Sequence, residues 1–185
     1  MEQKKTKTNV REMALIAVMA AVTCVLGPLS APIGVVPISF TNLAVYLAIY
    51  VLGCKRGTVS YIVYLLIGLV GVPVFSGFTG GVGKLFGPTG GYLIGFIFMA
   101  LICGWFIDRF ECKLVPSFAG MVLGTIVCYI FGTVWLAYQA GMSFYAALAA
   151  GVLPFIVGDL AKMVVAAIIG PQVRRQLARA GLTTK

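Results

Sequence analysis

Almost all the charge in this chain lies between its long apolar runs rather than within them. A helix needs about twenty apolar residues to cross a hydrocarbon core about 30 Å thick. Inside that core every backbone N–H and C=O must be satisfied by the segment itself, so such runs fold as helices. The pattern commits the chain to an all-α integral membrane protein. Composition agrees: 61% of residues are hydrophobic and 10% are charged, far from soluble usage. A length of 185 residues leaves room for six spans with short connections and no separate soluble domain. The expectation is one membrane domain, 1–185, with basic cytoplasmic tails at 1–11 and 171–185. The first run lacks a small-residue cleavage signature and reads as a retained span.

The runs place six spans at Glu12 to Leu26, Val36 to Leu52, Thr58 to Val72, Gly91 to Ile107, Leu114 to Tyr138 and Phe144 to Ile169. The second and third are short and flanked by Gly and Pro. Broken, tilted or re-entrant helices fit there, where protein or a cavity satisfies the freed backbone. Pro28, Pro32, Pro37 and Pro73 mark these places.

Basic residues fix the orientation. Lys4, Lys5, Lys7 and Arg11 precede the first span; Lys55 and Arg56 follow the second; Arg109 and Lys113 follow the fourth; Arg174, Arg175, Arg179 and Lys185 follow the sixth. Twelve of the fourteen Lys and Arg residues thus fall on one side, which the positive-inside rule makes cytoplasmic, together with both termini. The formal charge of +9 is a consequence of topology and of attraction to anionic lipid, not a nucleic-acid face. Cys24, Cys103 and Cys128 fall in spans, and Cys54 and Cys112 in connections on the reducing side, so no disulfide framework is expected. With no histidine and no cysteine pair at metal spacing, a zinc site and a histidine-based triad are excluded or improbable.

Asp159 and Lys162 break the rule of charge-free spans. Ionised groups at membrane depth are costly and mark a functional site by default. Three-residue spacing on a helix puts both on one face, where they neutralise each other or jointly hold a polar solute. The alternative is a salt bridge that only orients the helix.

Between the third and fourth spans, Val72 to Phe96 contains eight glycines, no acid and one cation, Lys84. Glycine lets backbone fold closely over something, and Phe75, Phe78, Phe86 and Tyr92 favour a packed cap over a solvated linker. A phosphate-binding P-loop is excluded, because Phe78 stands where its first glycine belongs and Leu85 follows Gly83-Lys84. In the first span Ala14, Ala17 and Ala21 recur at helical spacing, and Ala17-x-x-x-Ala21 lets another helix approach closely. That contact is equally open to a partner or to the chain itself.

GPTGGYLIGF (Gly87 to Phe96), VPISFTNLAVYLA (Val36 to Ala48) and GDLAKMVVAA (Gly158 to Ala167) resemble the BioY family, the biotin-binding S components of energy-coupling factor (ECF) transporters. The resemblance spans nearly the whole chain. It implies a six-helix prokaryotic cell-membrane protein, not an enzyme, whose glycine-rich outer loop caps a ligand pocket. Such a protein captures biotin outside and associates through the alanine surface with a membrane coupling subunit and two cytosolic ATP-hydrolysing subunits. No cofactor is implied, since ATP is hydrolysed by the partners.

Biotin offers two ureido N–H donors, a carbonyl acceptor, an apolar bicycle and a carboxylate. Asp159 is the expected acceptor for the ureido N–H groups, with Lys162, Asn42 and Thr41 beside it. Lys84 is the candidate partner of the carboxylate, with Lys162 as the alternative if biotin is reversed. Thr79, Tyr92, Trp135 and Tyr138 complete the expected binding set. Some relatives carry Asn or Arg where this chain has Thr79 and Leu93, which shifts weight to Lys84. Two other functions fit the residues: an S component for another vitamin, and an ion-coupled antiporter using Asp159 as a protonatable carrier.

Overall fold

The computed structural model describes residues 10–32 and 36–181; Lys4, Lys5, Lys7 and Lys185 of the expected basic tails lie outside them. Among the described residues the regular structure is helical apart from one hairpin of two-residue strands and an isolated bridge between Phe75 and Thr79. In order it runs α1 (Val10–Leu26), β1 (Ser30–Ala31), β2 (Ile38–Ser39), α2 (Thr41–Leu69), α3 (Val82–Leu85), α4 (Gly90–Arg109), α5 (Leu114–Ala140), α6 (Phe144–Gly151) and α7 (Ile156–Arg179). The strands pair antiparallel, Ser30 with Ser39 and Ala31 with Ile38. Four helices, α2, α4, α5 and α7, are long and apolar enough to cross a membrane.

The second and third expected spans are the two halves of α2, and the reversal between them occupies a single residue. Gly53 has φ +79° and ψ 179°, outside helical space. A Cβ on Gly57 would stand 3.0 Å from the Cα of Ile49. In a continuous helix eight residues rise about 12 Å, so 41–52 and 54–69 lie side by side, antiparallel. Asp108 closes the turn: its Oδ2 accepts the Cys54 backbone N–H at 2.7 Å, and its carboxylate lies where a Gly53 side chain would go. The second span also starts later than Val36. Residues 36–40 run through Pro37 into β2, since proline has no N–H to give a helix interior.

The sixth expected span, Phe144 to Ile169, is likewise divided. α6 ends at Gly151, 152–155 turn, and α7 begins at Ile156. Pro154 is the cause, removing an N–H and clashing with the preceding turn. α7 then continues past Pro171 to Arg179, so Arg174, Arg175 and Arg179 ride on its last two turns.

Two ion pairs lie at one end of the bundle. Arg56 pairs with Glu12 at 2.7 Å, and Arg174 donates to Asp108 Oδ1 at 3.4 Å. The start of α1, the turn in α2, the end of α4 and the end of α7 therefore meet there. At the opposite end lie the β-hairpin and the glycine-rich loop, joined where Gly77 N–H donates to the Pro28 carbonyl at 3.1 Å. Between the ends sits a core of fully buried side chains, among them Tyr46, Tyr50, Tyr61, Tyr64, Met99, Ile107 and Met121.

Candidate functional site

The break at Pro154 sets the depth of the charged pair. Because α7 restarts at Ile156, Asp159 occupies its first turn and Lys162 lies one turn further in, on the same face. The partial positive charge of a helix N-terminus favours an anion there. Both side chains are nearly enclosed, at 10% and 11% exposure. Lys162 Nζ donates to Asp159 Oδ1 at 3.0 Å and to the Ser39 carbonyl at 2.6 Å, and it stands 5.8 Å from the centre of the Phe40 ring. The other carboxylate oxygen accepts from the Tyr129 hydroxyl at 2.6 Å. α7, α5 and the β-hairpin are thus tied together at one point.

These bonds leave capacity in reserve. A carboxylate has about four lone-pair sites and an ammonium three donors. Asp159 and Lys162 each show two hydrogen-bonded partners, so each retains a position for a ligand. The pair is neutral overall and suits a neutral group that offers both N–H and C=O.

Asp159 and Lys162 line a cavity of about 710 Å³, open mouth included, together with Asn42, Thr41, Lys84 and Tyr92. Six of the expected binding residues are therefore brought to one space. Its apolar walls are Tyr64, Phe96, Met99 and Phe155, with Leu93 beside them. Tyr92 is seated by two missing side chains, since a Cβ on Gly132 would collide with its ring and a Cβ on Gly151 with its hydroxyl. Its hydroxyl donates to the Gly151 carbonyl at 2.9 Å, locking α4 to the end of α6.

Three expected residues stand apart from the cavity wall. Thr79 turns back on its own loop, donating to the Ser76 carbonyl at 3.0 Å. Trp135 donates to the Gly87 carbonyl at 2.9 Å and packs against the loop from behind. Tyr138 is 82% exposed. An apolar helix does not announce which face meets the cavity, and Tyr138 lies on the outer one.

The structure adds lining residues that were not expected: Tyr129, Ser39, Thr125 and Thr89. Thr125 and Tyr129 stand one helical turn apart in an apolar span, a spacing that marks a polar face on α5. Thr125 Oγ1 lies 2.6 Å from the Tyr46 hydroxyl and bonds to the Met121 carbonyl at 2.8 Å. The Thr89 hydroxyl is buried without a partner.

Charge in the cavity does not balance. Among its lining residues Asp159 is the one acid and Lys162 takes it, which leaves Lys84 as an uncompensated cation. Partial burial pushes the Lys84 ammonium below the ordinary lysine range. A ligand carrying one negative charge, a neutral hydrogen-bonding head and an apolar middle matches this lining.

Ala14, Ala17 and Ala21 all lie on the exposed face of α1, while Met19, Ala20 and Thr23 bury the other face against the rest of the chain. Among the described residues the small-residue surface is left uncovered.

Comparison with known proteins places this arrangement. The sequence model of the BioY family matches residues 1–179. The chain is 36% identical over 170 residues to "Biotin transporter BioY2" of Lactococcus lactis subsp. cremoris, covering 92% of this chain and 93% of that one. It is 39% identical over 164 residues to "Probable biotin transporter BioY" of Pyrococcus horikoshii, covering 89% and 96%. Its fold superposes on the crystal structure of the S-component for biotin from an ECF-type ABC transporter with a TM-score of 0.84, at 30% identity, over 92% of this chain and 94% of that one.

Proposed function

We propose that this chain, which belongs to the BioY family, is the substrate-capture subunit for biotin uptake, delivering the vitamin to an ATP-driven ECF coupling module. The observation that carries the reading is the charge pattern of the cavity: a neutral Asp159–Lys162 pair with spare acceptor and donor, and an unbalanced Lys84. Biotin has the matching parts. Its ureido ring engages Asp159 and Lys162, its bicycle lies against the aromatic wall, and its carboxylate meets Lys84.

In this reading the chain makes six crossings: α1, the two halves of α2, α4, α5, and α6 with α7 taken together. The ion-paired end, carrying Arg56, Arg109 and Arg174, faces the cytoplasm of a prokaryotic cell, and the glycine-rich loop caps the cavity outside. Ala14, Ala17 and Ala21 offer the docking surface for a membrane coupling subunit, which brings two cytosolic ATPase subunits. The chain itself catalyses no reaction and needs no cofactor.

Equilibrium binding of radiolabelled biotin to the purified protein tests the function. The expected result is saturable one-to-one binding that unlabelled biotin displaces. A protein that folds but binds no biotin, or that transports biotin in a proton-uncoupler-sensitive way without ATPase subunits, sinks the reading.

A further inference from the structure

Two side chains at the outer end of α5 hold the loop that carries Lys84, although neither lines the cavity. Trp135 Nε1–H donates to the Gly87 carbonyl at 2.9 Å, and Gln139 Nε2–H donates to the neighbouring Phe86 carbonyl. One helical turn separates the two donors, so a single face of α5 addresses two successive carbonyls. Packing reinforces this register: a Cβ on Gly91 would stand 2.3 Å from the Trp135 Cβ, so the backbone there lies directly on the indole stem.

Apart from Leu85, which packs against the core, and the buried Thr89, the segment is half-buried or exposed. Val82 and Phe86 are 53% and 61% exposed. At its start Gly81 has φ +88°, a conformation glycine adopts without strain, and its N–H donates to the Gly68 carbonyl at 2.7 Å, which gives the segment a fixed pivot. Lys84 and Thr89, which line the cavity, both ride on residues 82–89.

We propose that Trp135 and Gln139 form a latch, and that residues 82–89 are a lid which must lift from α5 before biotin enters or leaves. This rests on the biotin reading above. Because the latch touches no ligand, breaking it eases opening equally in the empty and the filled protein. Association and dissociation then quicken together and the equilibrium constant hardly moves. Loss of a wall contact has another signature, faster dissociation with unchanged association.

Gln139→Leu and Trp135→Phe remove one donor each; Gln139 is exposed, and phenylalanine keeps an aromatic ring on the loop. Association and chase kinetics with radiolabelled biotin should show both rates raised about three- to tenfold, with Kd within about twofold of the parent. Maleimide labelling of Lys84→Cys should accelerate by a similar factor when Gln139→Leu is added, with or without biotin. Unchanged rates, faster dissociation alone, or labelling indifferent to Gln139→Leu would overturn the latch. If the parent protein binds no biotin the proposed function fails, while the labelling experiment still decides the latch.

Discussion

The Tyr129 hydroxyl donates to Oδ2 of Asp159 at 2.6 Å, opposite the oxygen that receives Lys162. The carboxylate is therefore held from two sides and presents its remaining lone pairs in a fixed direction. Preorganisation of this kind lowers the ordering cost of binding.

Asp159→Asn keeps the size and removes the anionic acceptor. Hydrogen bonds to charged groups contribute about 1.5–3 kcal/mol, so biotin Kd should rise roughly ten- to hundredfold while the protein still inserts and purifies. Tyr129→Phe frees one oxygen without removing the charge and should cost less, about threefold to tenfold. Calorimetric titration measures both, and an Asp159→Asn protein with parental affinity contradicts the placement of the ureido ring.

Lys162 bonds to the Ser39 carbonyl as well as to Asp159, so its loss should loosen the hairpin as well as the pocket. Lys162→Gln should raise amide hydrogen exchange at residues 36–40. Its effect on affinity should be non-additive with Asp159→Asn by about 1 kcal/mol or more, as expected of groups in one network. Strict additivity in a double-mutant cycle argues that the two charges act separately.

Lys84→Ala should weaken biotin more than biotinol, which ends in an alcohol, because only the acid has a charge to lose. The pH dependence has a definite sign. Burial lowers the Lys84 pKa, so the ammonium that attracts the carboxylate is present at low pH and lost as pH rises through that lowered value. Biotin affinity should decline on the alkaline side earlier than an ordinary lysine would dictate, and Lys84→Arg should move that decline upward. A pH profile identical in the parent and in Lys84→Arg contradicts the assignment.

Ala17→Trp and Ala21→Trp place bulk on a face that is exposed among the described residues. Biotin binding should stay at the parental level, whereas co-purification with a coupling subunit should fall severalfold. Undiminished assembly by both variants rules out this face as the docking surface.

How far the sequence disclosed all this differs from element to element. α5 was readable almost to the residue, since Lys113 and Gly141 bracket a continuous apolar run. The split of the last span was announced by Pro154, but hydropathy averages over a single proline and joined α6 to α7. Asp159, Lys162 and Lys84 stood out because charge is rare in such a chain. Tyr129 did not, because in a helix apolar all round, composition is silent about which side meets the cavity. Trp135, expected in the binding set, instead stands at the back of the loop, where its indole N–H finds a carbonyl.

Below the charged pair, toward the end where Asp108 clamps the α2 turn, Tyr46, Met99, Met121, Ile107 and Tyr50 fill the space between the helices at 0% exposure each. Among the described residues these side chains close the cavity on that side. Under the proposed function, a solute seated at Asp159 and Lys162 has no straight path through that floor, so its release on the far side requires the protein to change its arrangement rather than merely to open its outer loop.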